Sequence, residues 1–194
     1  MKGILRINLL SIYAIGVTGV FLEIGGGFWD ISWHILGLVE IFFTVPHAIL
    51  YAGIGLTLIS AALGLLRRFA SQANKSEKQI LTGLLVALVG GALQVSAGPF
   101  DFWWHATYGF DPFLLTPSHT VLITGGTFAV VGMALGSGRL LQVHYLASSE
   151  ERNLTTPRPL KLLAVVATAC LLLQLYLVGW VVTECLAWPT RLRL

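Results

Sequence analysis

Charge is what this sequence has least of. Of its 194 residues, 12 are lysine or arginine and nine are aspartate or glutamate, so 11% are charged. A typical soluble domain carries about a quarter. With 56% hydrophobic residues, a soluble fold of this size would have no means of hiding its apolar surface, and the chain reads as an integral membrane protein. The net charge of +3 is small and confined to loops, which excludes a nucleic-acid surface. Cysteine is nearly absent. Cys170 and Cys185, fifteen apart in the last apolar run, have neither zinc-site spacing nor the pattern of a disulfide framework, and read as small apolar side chains. No His-Glu-x-x-His supports a zinc protease, and no nucleophile elbow supports a hydrolase. Neither Gly25-Gly26-Gly27 nor Gly90-Gly91 is followed by the Lys-Ser/Thr of a phosphate loop.

What is present lies in five apolar runs, each near the roughly 20 residues that cross a bilayer. They span approximately Ile7–Phe28, Val45–Leu66, Ile80–Pro99, Pro117–Leu141 and Leu160–Trp180. The expected fold is all-α, with about five transmembrane helices. Lys2, Arg6, Arg67, Arg68, Lys75, Lys78, Arg139, Arg152, Arg158 and Lys161 fall on one side of these spans. The positive-inside rule makes that side cytoplasmic. The N-terminus is then inside as a retained helix, in the cell membrane. Ser71–Lys78 and Ala147–Pro159 read as polar cytoplasmic loops, the second holding a chance sequon at Asn153-Leu154-Thr155.

The polar residues are clustered. Trp29-Asp30-Ile31-Ser32-Trp33-His34, followed by Pro46-His47, recurs 71 positions later as Phe100-Asp101-Phe102-Trp103-Trp104-His105, followed by Thr116-Pro117-Ser118-His119. Four of the five histidines belong to these motifs, and both copies fall on the extracytoplasmic side. The chain therefore reads as one membrane domain of two parallel helical-hairpin repeats, residues 1–70 and 71–143, with a loop and an unpaired fifth helix over 144–194. Gly25–Gly27 and Gly98-Pro99 are expected to break their helices ahead of each motif. Proline suits the first turn of the helix that follows, where its missing N–H has no partner to lose.

Aspartate and histidine four apart share a face if the segment is helical. Two imidazoles and a carboxylate make a first shell for copper, zinc or iron. The expectation is two such sets, Asp30/His34/His47 and Asp101/His105/His119. Glu40 and Asp111 would orient the imidazoles or add ligands. The competing reading makes the histidines and tryptophans an interfacial belt, a proton relay or a polar contact between helices. No residue is assigned a catalytic role.

At these residues the chain resembles the C subunit of particulate methane and ammonia monooxygenases. That family carries Asp-x3-His-x12-His, matched here by Asp30, His34 and His47. It also carries a second motif with histidines fourteen apart, as His105 and His119 are, and a Thr-Pro-x-His like Thr116–His119. Val39-Glu40-Ile41-Phe42 looks like its Glu-Ile-Phe, while Asp101 stands where the family has asparagine. The resemblance covers about a quarter of the chain. It implies copper near the outer face of an oxidoreductase complex, with other subunits completing a monooxygenase for a small molecule. The alternative is a metal-binding or proton-relay accessory subunit of a respiratory complex, or a metal-transport module.

Overall fold

The computed structural model describes residues 8–36, 38, 41–70, 75–109, 115–150 and 156–191. These form α1 (Leu9–Ile35), α2 (Val45–Ala70), α3 (Lys75–Tyr108), α4 (Pro117–Glu150) and α5 (Arg158–Arg191). All five are long and apolar enough to cross a membrane, the architecture of an all-α membrane protein. At a 1.5 Å rise per residue, the 27 residues of α1 extend about 40 Å. They therefore overreach a hydrocarbon core of about 30 Å.

The helices are longer than the apolar runs. Neither expected break forms: α1 passes through Gly25–Gly27 as far as Ile35, and α3 passes through Gly98 and Pro99 as far as Tyr108. A glycine costs a helix about 1 kcal/mol relative to alanine in water. In lipid, an abandoned intrahelical bond has no water to replace it, so helix persists where a soluble chain would turn. Gly26 also has a packing role, since a Cβ there would lie 2.8 Å from the Leu50 backbone nitrogen. The polar stretches expected as cytoplasmic loops are partly helical too, because α3 begins at Lys75, α4 continues to Glu150 and α5 starts at Arg158.

Adjacent helices run antiparallel. α1 packs most heavily on α2, and α3 on α4. Contacts of α2 with α3 and of α1 with α4 close these four into a ring, and α5 lies against α1 and α4. Glycines set the closest approaches. A Cβ on Gly53 of α2 would meet the Gly19 carbonyl and the Glu23 nitrogen of α1, each at 2.7 Å. A Cβ on Gly125 of α4 would meet the Gly90 carbonyl at 2.7 Å and the Gln94 nitrogen at 3.0 Å in α3. Helices driven together by packing rather than by water favour such small-residue seams.

The apolar core lies toward the end away from the Asp-His motifs. It includes Ile12, Tyr13, Leu81, Leu84, Val130, Met133 and Leu160. The Tyr13 hydroxyl donates to the Ile80 carbonyl at 2.6 Å, and the Ser60 hydroxyl to the Ile12 carbonyl at 2.7 Å, so polar atoms within the core are satisfied. Cys170 is part of this core and Cys185 is half-buried; both are free thiols.

Candidate metal centre

Both Asp-x3-His pairs lie on continuous helix, one turn from the ends of α1 and α3. In α1 the His34 Nδ1–H donates to the Asp30 carbonyl oxygen at 3.1 Å, and Nδ1 stands 3.9 Å from the Asp30 carboxylate. In α3 the His105 Nδ1–H instead reaches past the helix end to the Gly109 carbonyl at 3.1 Å. Gly109 closes α3 with a φ of +83°, the left-handed conformation that glycine adopts without steric cost. His105 Nε2 is then 3.4 Å from Asp101 Oδ1.

The partner histidines come from the first turns of α2 and α4. Thr44 caps α2: its carbonyl accepts from the Ala48 N–H at 2.9 Å and its hydroxyl from the His47 N–H at 3.5 Å. Thr116 caps α4 likewise, through Thr120 at 2.9 Å and His119 at 3.2 Å. Each histidine is thus the third residue after its capping threonine, although the proline between them has shifted by one. His47 Nε2 lies 3.0 Å from Asp30 Oδ1, though off the line of a hydrogen bond. Its Nδ1–H donates to the Ile41 carbonyl at 3.1 Å, and its ring stacks on Tyr51. His119 Nε2 is 3.4 Å from Asp101 Oδ1, which also accepts from Ser118 Oγ at 2.7 Å.

The two expected sets meet between the hairpins. His34 of the first joins His105 and His119 of the second, with one nitrogen from each ring lying within 4.8 Å of the others. The ring centroids of His34 and His119 are 5.3 Å apart, and those of His105 and His119 are 6.0 Å apart. His47 is not in this group and stands beside Asp30. Glu40 and Asp111 lie outside the described residues, as does the sequon at Asn153.

The donor pattern fits a cation. Three of the four histidines commit Nδ1–H to a backbone carbonyl, an arrangement that holds a ligating imidazole in one tautomer. His105 Nε2 faces the Asp101 carboxylate at 3.4 Å, and a proton or a metal ion between them would serve both groups. The Nδ1 of His119 is buried with no hydrogen-bond partner among the described residues. Three imidazoles with carboxylates nearby are a donor set for copper, zinc or iron.

Hollows adjoin the cluster. An outer crevice of about 330 Å³ is bordered by Phe42, His47, Tyr51, Asp101, Phe102 and His105. An inner cavity of about 70 Å³ runs from Asp30, His34 and His119 toward Glu23, Gln94 and Gln174.

No family model, curated protein or solved structure matches this chain.

Ser118, Gly109 and the buried group of Glu23, Thr57 and Gln94 have no role expected from the sequence motifs. The position of Gly109, just past an aromatic helix end, was the one available signal, since glycine is the usual residue there. The Glu23 group had no local signal, because its members come from three helices.

Proposed function

We propose that this protein is a membrane subunit that binds copper between two helical hairpins and takes part in oxidising a small molecule. The observation that carries this reading is the convergence of His34, His105 and His119. Those three imidazoles would hold the ion, with Asp101 and Asp30 supplying negative charge beside it. Zinc and iron suit the same donors. Bound copper would supply redox chemistry with oxygen. The chain's own residues fix the imidazole tautomers, through the carbonyls of Asp30 and Gly109, and hold the carboxylates in place. The resemblance to the monooxygenase C subunit supports copper and partner subunits in a lipid-embedded oligomer.

The hairpins are two copies of one unit. What supports this is the matching of the glycine seams, with Gly19 and Gly90 71 positions apart and Gly53 and Gly125 72 apart. An extracytoplasmic centre is supported by Arg67, Arg68, Lys75, Lys78, Arg158 and Lys161, which gather at the opposite helix ends.

Elemental analysis of detergent-purified protein tests the proposal, with paramagnetic resonance for imidazole couplings to Cu(II). Copper should be retained by the wild type and lost from His34→Ala and His105→Ala. A wild type without copper would end the copper reading, and copper indifferent to both changes would end the assignment of the site.

The inner cavity favours a second reading, an accessory module that relays protons or passes metal without redox chemistry. Stoichiometric zinc with no activity in a co-purifying oxidase would support it.

A further inference from the structure

We infer that the inner cavity is a hydrated proton-relay site whose inner terminus is Glu23. As a route serving the metal centre it rests on the reading above; as a hydrated site it stands on the cavity alone. Glu23 is 4% exposed, and both its hydrogen bonds run toward the carboxylate, from the Thr57 hydroxyl to Oε1 and from Gln94 Nε2 to Oε2 at 2.9 Å. Both neighbours donate, so each carboxylate oxygen has one hydrogen-bond donor and a proton arriving from the cavity has a defined acceptor. Pairing the Gln94 amide nitrogen with Glu23 leaves Gln94 Oε1 buried, with no partner among the described residues. His119 Nδ1 is buried and likewise without one. Both residues line the same cavity, which therefore has an unsatisfied polar atom toward either end.

The wall of this cavity of about 70 Å³ is mostly apolar, with Ile31, Leu50, Ile123 and Val181 among its residues; at about 30 Å³ per water it has room for two or three, each where it finds polar partners. Gln94, Gln174, His119 and the Glu23 carboxylate are those partners. In the relay, a hydronium at the outer end of the cavity gives up a proton. Each intervening water accepts one proton and releases another, and the last O–H bond forms on a Glu23 carboxylate oxygen. The carboxylate loses its negative charge and the donor loses one positive unit; the return path is the same. The other titratable groups facing this space are Asp30 and His34 of α1 and His119 of α4. On α5, Cys170 is within electrostatic reach of Glu23.

Infrared difference spectroscopy of the metal-free protein reads Glu23 directly, since a protonated carboxyl has its own C=O stretch and shifts in D2O. On acidification the wild type should show a band that Glu23→Gln removes, and the band should shift within the mixing time. Ile123→Trp, which fills the cavity but keeps Glu23, should retain the band and exchange about tenfold more slowly or beyond. A spectrum unchanged by Glu23→Gln, or exchange unaffected by Ile123→Trp, would overturn the inference. Helical circular dichroism of both variants should match the wild type. Zinc binding, measured on the same samples, tests the centre separately: its absence would remove the metal reading and leave the hydrated site standing.

Discussion

The two hairpins use the same parts to different ends. Each presents an aspartate and a histidine one turn apart near the end of one helix, and a second histidine three residues beyond a capping threonine in the next. In the second hairpin Asp101 gathers everything at hand, with His105 and His119 each at 3.4 Å and Ser118 at 2.7 Å. In the first, Asp30 takes His47 at 3.0 Å, while His34 stands 3.9 Å off and turns toward the other hairpin. The cause lies in where each Nδ1 proton goes. His34 spends it on its own helix, and His105 spends it on the residue that closes its helix. One hairpin thus extends a histidine across the interface toward the other, so the two sets are joined and are not equivalent.

The sharpest way to break this contrast is to remove the two first-hairpin histidines separately. His34→Ala should lower metal affinity by about 100-fold or more, whereas His47→Ala, which acts through Asp30, should cost at most about tenfold, both read by equilibrium dialysis. Equal losses, with one ion bound per hairpin, would restore two independent sites. Next in size are the glycine seams. Gly53→Val and Gly125→Val should each destabilise by about 1–3 kcal/mol in reversible detergent unfolding, because the incoming methyls meet backbone that cannot retreat. A neutral result at either seam would mean that the helices do not approach as closely as described.

Ser118→Ala tests what sets Asp101 apart from Asp30. Losing a hydrogen bond to a carboxylate should cost about 1–2 kcal/mol of stability and broaden the Cu(II) resonance. An unchanged spectrum would show that Ser118 does not fix the carboxylate. Smallest is Gly109→Ala, which places a side chain at φ +83°. A loss of about 1 kcal/mol is expected, with an altered resonance of the His105 nitrogen; if that resonance is unmoved, the closing turn does not hold the ring.

The sequence showed the polar clusters, their common end of the bundle and the helical face shared by Asp30 and His34, because these depend on spacing and on the direction of each span. It did not show that α1 and α3 continue through Gly25–Gly27 and Pro99. The helix-breaking tendency of glycine and proline is calibrated in water, and here the alternative to a helical bond is an unpaired one. Nor did it show the grouping of His34 with His105 and His119. Spacing places an imidazole on a helix face, but its direction depends on which carbonyl takes its Nδ1 proton, and for His105 that carbonyl belongs to Gly109. Glu23 has no local sequence signal. Its partners, Thr57 and Gln94, lie 34 and 71 positions away.

The capped starts of α2 and α4 meet the ends of α1 and α3 at one level, and this has an electrostatic consequence. A helix carries about half a positive charge at its start and half a negative charge at its end. Two starts and two ends side by side largely cancel, leaving the local field to side chains. Asp30 and Asp101 then set the balance. For the ion proposed here, a doubly charged cation would be matched by the pair, whereas a singly charged one would leave a negative charge uncompensated in a poorly polarisable setting. Such a centre would select by charge before it selects by coordination geometry.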